Sequence, residues 1–275
     1  MDDDRLQSRR AEVHFTRDAP ARHVDEKLLA LCVGVSQYQV QKISLEFADK
    51  DATAMAGVLG REKGSLYSGA ISSTLTNQQA THQRVLDALD TLAGQVTRAD
   101  TAVVVFSGHG WRSPDKSFYF ATHEIDPSMD ESIARTALQW SEVTEKLSRL
   151  SERSKHVVVL LDACHSGAQD EQTATTDDLI KALDHANAGV LVFGSSCQSE
   201  RTWESAEWGH GAFTKAVLEA IDGKAGNAGS ITLGDFSDYV DRRVSELTQD
   251  QQHPFPFVLD FSLGTPLFTQ VAGGS

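Results

Sequence analysis

The sequence lacks several features that mark familiar classes of protein. Its 275 residues contain only three cysteines, which cannot form an even disulfide framework. No apolar stretch approaches the length of about 20 residues that a membrane span needs. The first residues, Met-Asp-Asp-Asp-Arg, do not have the basic-then-apolar order of a secretory signal. These absences predict a cytoplasmic protein in a reducing environment.

Positive charge is also scarce in this chain. The 25 lysines and arginines are outnumbered by 39 aspartates and glutamates, which leaves a net charge of −14. A chain with this balance is not expected to bind nucleic acid or an anionic membrane, and it favours cationic substrates. The same acidity also serves solubility, so charge alone leaves the type of partner open.

Common cofactor motifs are missing as well. The cysteines are isolated from one another and form no zinc pattern. The segment Gly108-His-Gly110 is too short for a dinucleotide-binding loop. Glutamine ends Gly194-Ser-Ser-Cys-Gln198, where a nucleophile elbow needs glycine. No cofactor is therefore required by a motif.

Two segments instead join a buried-strand pattern to a polar tip that contains glycine. They are Val103-Val-Val-Phe-Ser-Gly-His-Gly110 and Val157-Val-Val-Leu-Leu-Asp-Ala-Cys-His-Ser-Gly167. Apolar runs of this kind suit strands of a parallel sheet that is covered on both faces, and ligands bind beyond the carboxyl ends of such strands. If the two strands are neighbours, His109 and Cys164 come within reach of each other.

A thiol and an imidazole in this arrangement are the groups that nucleophilic catalysis needs. The thiolate attacks, and a nearby histidine lowers the thiol pKa and later protonates a leaving amine. The backbone amides of Gly110 and Cys164 are candidate donors to the oxyanion, because glycine allows close approach of a substrate. Cys197 also follows a predicted strand, but it lacks a neighbouring glycine and histidine. His165 is a weaker candidate base, since adjacent side chains of a strand point in opposite directions.

The remaining pattern predicts one α/β domain over residues 27–275, after a flexible N-terminal arm of residues 1–26. Cys32 is expected in the core, and Ser141 is expected to cap a helix. Further strands are predicted at Leu28–Val35, Ile71–Leu75, Ser117–Ala121, Gly189–Gly194 and Phe257–Phe261, and helices at Phe47–Leu59, Thr81–Val96, Ser141–Leu150, Asp177–Leu183, His210–Ile221 and Leu233–Leu247.

The motifs Ser107-Gly-His-Gly110 and Asp162-Ala-Cys-His-Ser-Gly167 resemble those of the caspase-like cysteine peptidases. This superfamily includes caspases, metacaspases and their prokaryotic relatives, the orthocaspases. The form around Cys164 is similar to that of metacaspases and differs from the Gln-Ala-Cys signature of caspases. The resemblance runs from Leu28 to Phe268. It implies a caspase-like three-layer sandwich, with a mostly parallel central sheet of about six strands and helices on both faces.

The resemblance also implies a cysteine endopeptidase with His109 and Cys164 as its catalytic dyad. In metacaspases the aspartate two residues before the nucleophile lines the primary specificity pocket and selects arginine or lysine, and Asp162 occupies that position. Asp51 matches a second pocket aspartate of the family, with Asp49 as an alternative, and Ser107 matches the pocket wall. Two carboxylates that face a guanidinium would bind it strongly and directionally.

Regulation is implied only in outline. Many metacaspases are activated by calcium, and candidate oxygen ligands here are Asp170, Glu171, Asp177 and Asp178. Ser196, Glu200, Trp203 and Glu204 fall in the segment that borders the substrate groove in the family. Expected partners are protein or peptide substrates and an activating protease or regulatory partner, in a regulated signalling or defence role.

Two alternatives to a peptidase stay open from the sequence. One is a catalytically silent caspase-like domain that acts as a binding or scaffold module, although His109 and Cys164 are both present. The other is a redox or acyl-transfer protein that uses the thiol of Cys164.

Overall fold

The structure is a computed structural model that describes residues 25–64, 66–113, 117–166, 189–195, 202–226, 229–259 and 261–269. For residues 164–166 and 257–259 the description covers the backbone only. The predicted helix Asp177–Leu183 and nearly all of the predicted N-terminal arm lie outside these residues.

The described part of the chain alternates strands and helices. The strands are β1 (Lys27–Gly34), β2 (Gly69–Thr76), β3 (Thr101–Arg112), β4 (Phe118–Phe120), β5 (Leu138–Gln139), β6 (His156–Ser166), β7 (Gly189–Gly194), β8 (Glu204–Ser205), β9 (His210–Gly211), β10 (Ser230–Thr232), β11 (Phe255–Leu259) and β12 (Pro266–Thr269). The α-helices are α1 (Ala48–Leu59), α2 (His82–Gln95), α3 (Asp130–Thr136), α4 (Trp140–Ser151), α5 (Ala212–Glu219) and α6 (Leu233–Thr248). Short 3-10 helices cover Gln41–Ile43 and Asn77–Gln79, and a π-helical turn covers Ala220–Lys224.

The central sheet has the strand order β2-β1-β3-β6-β7-β11. Neighbouring strands from β2 to β7 run parallel, and β11 runs antiparallel to β7. Strand β1 ends at Gly34, opposite Ser107 of β3. Beyond that point β4 pairs with Gly110–Arg112, on the edge of β3 that faces away from β6. The C-terminal end of β3 is therefore held between β6 and β4.

Side chains of the central strands alternate between two apolar layers, because successive residues of a strand point to opposite faces. Val103 and Val105 lie in the layer that α1, α5 and α6 cover. Val104 and Phe106 lie in the layer that α2 and α4 cover. This is the predicted three-layer sandwich with helices on both faces of a mostly parallel sheet.

Two predicted helices begin at different residues in the structure. The first is α4, which begins at Trp140 and has Gln139 rather than Ser141 at its N-cap. The backbone N–H of Gln139 donates to the Glu142 carboxylate at 3.1 Å, which places the N-cap two residues earlier than predicted. The second is the helix predicted from His210 to Ile221. His210 and Gly211 are instead extended, and α5 covers Ala212–Glu219.

Other boundaries differ less. Thr81 caps α2 as predicted, since its hydroxyl accepts from the backbone N–H of Arg84. The late strand β11 begins at Phe255, two residues before the prediction, and lies at the edge of the sheet. Within the described residues, the helices are too short or too polar to span a bilayer.

Candidate active site

The two motif strands are direct neighbours in the sheet. The parallel register between β3 and β6 sets His109 opposite Cys164 and Ser107 opposite Asp162. Gly110 lies one step further along β3, opposite His165. The two polar tips therefore meet at the C-terminal edge of the sheet, where parallel strands place ligand-binding groups.

His109 is held by groups from outside its own strand. Its Nε2 atom lies 2.8 Å from the carbonyl oxygen of Ile43. A carbonyl oxygen only accepts, so Nε2 carries the hydrogen, and the neutral ring keeps Nδ1 as its acceptor. The backbone N–H of His109 donates to the hydroxyl of Tyr38 at 3.0 Å. Burial lowers the pKa of His109 and favours this neutral form.

Gly108 lies in the close packing that surrounds the histidine. A Cβ atom at this position would lie 3.1 Å from the Tyr38 hydroxyl oxygen and 3.1 Å from Cζ of Phe120. A side chain at this position would require Phe120 or the Tyr38 hydroxyl, which accepts from the backbone N–H of His109, to shift by a few tenths of an ångström.

Two buried carboxylates lie beside this pair of strands. Asp51 comes from α1 and is 2% exposed, while Asp162 comes from β6 and is 7% exposed. Both side chains approach Gly211, where a Cβ atom would lie 2.9 Å from Asp162 Oδ2 and 3.2 Å from Asp51 Oδ2. The absence of a side chain at Gly211 is what allows the carboxylates to converge.

Each carboxylate accepts hydrogen bonds from the chain around Gly211. The Nδ1 atom of His210 lies 2.6 Å from Asp51 Oδ1, and the Gly211 N–H donates to Asp51 Oδ2 at 3.1 Å. The hydroxyl of Thr214 donates to Asp162 Oδ2 at 2.9 Å. These two contacts of Asp51 explain why His210 and Gly211 are extended instead of helical.

Burial dominates the electrostatics of both acids. It raises the pKa of Asp51, an effect that the hydrogen bond from His210 opposes. Burial, together with the nearby Asp51 carboxylate, raises the pKa of Asp162 to about 7. Ser107, which is also buried, lies beside Asp51 and helps to lower its pKa. The site is therefore a buried pair of acids beside the strand ends that carry His109 and Cys164.

Sequence comparison agrees with this architecture. A sequence profile of the Caspase domain family matches residues 27–260. The chain belongs to the caspase domain family. Among curated proteins, none is significantly similar in sequence.

Solved structures show the same fold at low identity. A protein from Geobacter sulfurreducens superposes with a TM-score of 0.62 and 19% identity, over 84% of this chain and 93% of its own. Caspase-1 from Spodoptera frugiperda superposes with a TM-score of 0.57 and 14% identity, over 94% of this chain and 97% of its own. The caspase domain therefore has the fold of a cysteine peptidase.

The structure separates the two candidate pocket aspartates. Asp49 accepts hydrogen bonds from Ser36 Oγ at 2.7 Å and Asn77 Nδ2 at 2.9 Å. These contacts tie the start of α1 to the loops that follow β1 and β2. Asp51, two residues later, is the aspartate beside Asp162.

The sequence did not single out Tyr38, Ile43, His210, Gly211 or Thr214 as site residues of this caspase domain. Nothing local distinguishes Tyr38, Ile43 or Thr214, because each contacts a site residue that is remote in the chain. The dipeptide His210-Gly211 before an apolar helix is the one signal that could have drawn attention to this region.

The other predicted positions lie in the core, at the surface or outside the described residues. Cys32 is fully buried in β1, and burial raises its pKa. Glu204 pairs with Gly211, and Trp203 is 41% exposed. Outside the described residues lie Ser196, Cys197, Glu200 and the candidate calcium ligands Asp170, Glu171, Asp177 and Asp178. In the described ranges, no group of three or more His, Cys, Asp or Glu side chains is placed to hold a metal ion.

Proposed function

We propose that this caspase domain is a cysteine endopeptidase that cleaves peptide bonds after basic residues, with arginine preferred and lysine accepted. The observation that supports this most directly is the convergence of Asp51 and Asp162 on Gly211, with Asp162 two residues before Cys164 on β6. A buried pair of acids is costly unless a cation binds to it.

The proposed reaction begins at Cys164. Its thiolate attacks the scissile carbonyl carbon, and the amides of Gly110 and Cys164 donate to the oxyanion that forms. As the carbon–nitrogen bond breaks, His109 gives its proton to the leaving amine, and an acyl-enzyme remains. His109 then takes a proton from water, which attacks the thioester and releases the acid product and the thiol.

The contacts of His109 suit this role. With Nε2 donating to the Ile43 carbonyl, Nδ1 is the ring atom that exchanges the proton. Burial holds the free imidazole neutral, so it accepts the proton of the thiol at the start of the cycle. Ile43 thereby acts as a positioning residue through its backbone.

The acidic pocket accounts for the preferred side chain. A guanidinium presents parallel N–H donors to both carboxylates, whereas an ammonium is a single point of charge. An incoming cation favours the ionised form of Asp162 and so lowers its pKa from about 7. Substrate binding near neutral pH is therefore expected to release a proton.

A pair of peptide reporters tests this function. Wild type should cleave a substrate with arginine before the scissile bond and leave the matched aspartyl substrate intact. Cys164→Ala should lose all cleavage, and an arginyl chloromethyl ketone should label Cys164 of wild type, as found by mass spectrometry. Labelling without turnover would favour a redox or acyl-transfer role for the thiol.

Absence of both cleavage and labelling would instead favour a silent scaffold. Assays with and without calcium, and after proteolytic nicking, cover the two modes of activation that the family resemblance implies. Peptide mapping of active wild type would show whether the arginine-bearing arm, residues 1–26, or the segment 168–178 is cut by the enzyme itself. We also propose a cytoplasmic, regulated signalling or defence role.

A further inference from the structure

A cavity lies beside His109, at the edge of β3 that faces away from the strand of Cys164. Its volume is about 290 Å³, and its apolar lining comes from Ile43, Leu45, Trp111, Ala121 and Ile125. His109 forms part of its wall. At this size it suits one side chain rather than a larger molecule, since sites for small-molecule ligands usually occupy about 300–1,000 Å³.

The sheet defines where this cavity lies relative to the proposed nucleophile. Cys164 is opposite His109 on β6, along one edge of β3. Ala121 directly follows β4, which pairs with the other edge, and its N–H donates to the carbonyl of His109 at 2.8 Å. At this edge of the sheet, His109 therefore lies between Cys164 on one side and the cavity on the other.

The acidic pocket lies in a different direction. Asp51 belongs to α1, and α1 covers the layer of the core that contains Val103 and Val105. The cavity is lined by Ile125, a residue of the opposite layer, and Leu45 packs against that layer. A substrate whose arginine occupies the acidic pocket would still leave this cavity open.

The chemistry of the leaving group connects the cavity to the substrate. This step depends on the proposed function, in which His109 protonates the leaving amine. A general acid must come within about 2.6–3.2 Å of the atom that it protonates. The residue that carries the leaving amine must therefore contact His109. Because His109 also lines the cavity, the side chain of that residue lies next to the cavity.

We propose that this cavity binds an apolar side chain of the residue that follows the scissile bond. The apolar lining disfavours a charged side chain, because burial of an unpaired charge is costly. The exposed Lys42 belongs to the same lining and further disfavours a basic residue there. The preferred cleavage sequence is then a basic residue followed by an apolar residue.

A peptide series isolates this preference. Each peptide keeps arginine before the scissile bond and places leucine, glycine, aspartate or lysine after it, with all other positions constant. Wild type should cleave the leucine peptide with a kcat/KM at least about tenfold above that of the glycine peptide, as expected for burial of one leucine side chain. The aspartate and lysine peptides should be poorer still.

A variant that fills the cavity supplies the structural test. Ser44 is an exposed residue of the lining, and Ser44→Trp places a large ring at the cavity. In this variant the ratio of leucine to glycine cleavage, measured as kcat/KM, should fall from about tenfold to about one. Ser141→Trp, at an exposed position on α4, is the matched control and should keep the leucine preference.

A second measurement does not depend on the folding of the variant. With an arginyl ester as substrate, added leucinamide should capture the acyl group of wild type more efficiently than glycinamide does, because the nucleophile enters through the same subsite. Equal cleavage of the leucine and glycine peptides, or equal capture of the two amides, overturns the inference while arginine specificity stands. Failure to cleave any arginyl peptide overturns the proposed function and this inference together.

Discussion

Asp51 and Asp162 each direct a carboxylate oxygen to the same glycine, Gly211. The two acids come from α1 and β6, and the chain around Gly211 supplies hydrogen bonds to both. Three remote segments thus bring two buried carboxylates together beside the strand ends of His109 and Cys164.

Loss of one pocket carboxylate should abolish arginine specificity. In Asp162→Asn, we expect kcat/KM for an arginyl peptide to fall about 100-fold or more, because removing one partner of a buried charge pair costs several kcal/mol. Asp49→Asn is the control, since Asp49 bonds to Ser36 and Asn77 outside the pocket. A comparable loss of arginine cleavage in Asp49→Asn would contradict the assignment of the pocket.

Folding stability should fall as pH rises from about 4 to about 7. The pKa of Asp162 is about 7 in the folded chain and near 3.8 when unfolded, so over this interval the folded state binds more protons than the unfolded state. A pKa raised this far lowers the free energy of unfolding at neutral pH by about 4 kcal/mol, relative to a pH at which Asp162 is protonated in both states. Denaturant unfolding across this pH range should show the fall in wild type.

Asp162→Asn provides the comparison for the stability measurement, because asparagine does not titrate. Its free energy of unfolding should depend much less on pH. The stability of the variant relative to wild type should therefore increase as pH rises. Parallel curves for the two proteins would show that Asp162 does not titrate in this interval.

His210 should act as a positioning residue for Asp51. His210→Ala removes the donor that lies 2.6 Å from Asp51 Oδ1. We expect KM for an arginyl peptide to rise about tenfold with kcat little changed, since hydrogen bonds to charged groups contribute about 1.5–3 kcal/mol. His210→Gln keeps a donor and should recover part of the loss. A fall in kcat at constant KM would exclude this role.

Gly211 should tolerate no side chain. In Gly211→Ala the new Cβ atom would lie 2.9 Å from Asp162 Oδ2, so the carboxylate must move. We expect arginyl cleavage to fall at least about tenfold while the protein stays folded, because displacement of one positioned group is enough to cost that much. Gly57→Ala is the matched control on α1.

The control differs from the test variant in its surroundings. Nothing lies within 4 Å of a Cβ atom at Gly57, which is exposed on the helix. Gly57→Ala should leave cleavage unchanged and stabilise the fold by about 0.5–1 kcal/mol. Thermal unfolding and arginyl cleavage should be measured on both variants. The comparison distinguishes displacement of the Asp162 carboxylate from the general effect of replacing glycine by alanine.

Much of the fold could be predicted from local pattern. Apolar runs such as those of β3 and β6 specify buried strands, and the helical spacing before Leu59 specifies α1. The boundaries that differ depend on side-chain contacts. The predicted helix start at His210 was wrong because Asp51, far away in the chain, holds His210 and Gly211 extended.

The sequence by itself determined the two polar strand ends, the placement of His109 and Cys164 on them, and membership of the caspase domain family. These features depend on residue type and on spacing within single segments. Only the tertiary structure decided that Asp51 and not Asp49 lies beside Asp162, that Ile43 orients His109, and that an apolar cavity adjoins it. Each of these contacts joins segments that are remote in the chain. Burial raises the pKa of both acids and encloses the cavity, and it arises only when those segments pack together.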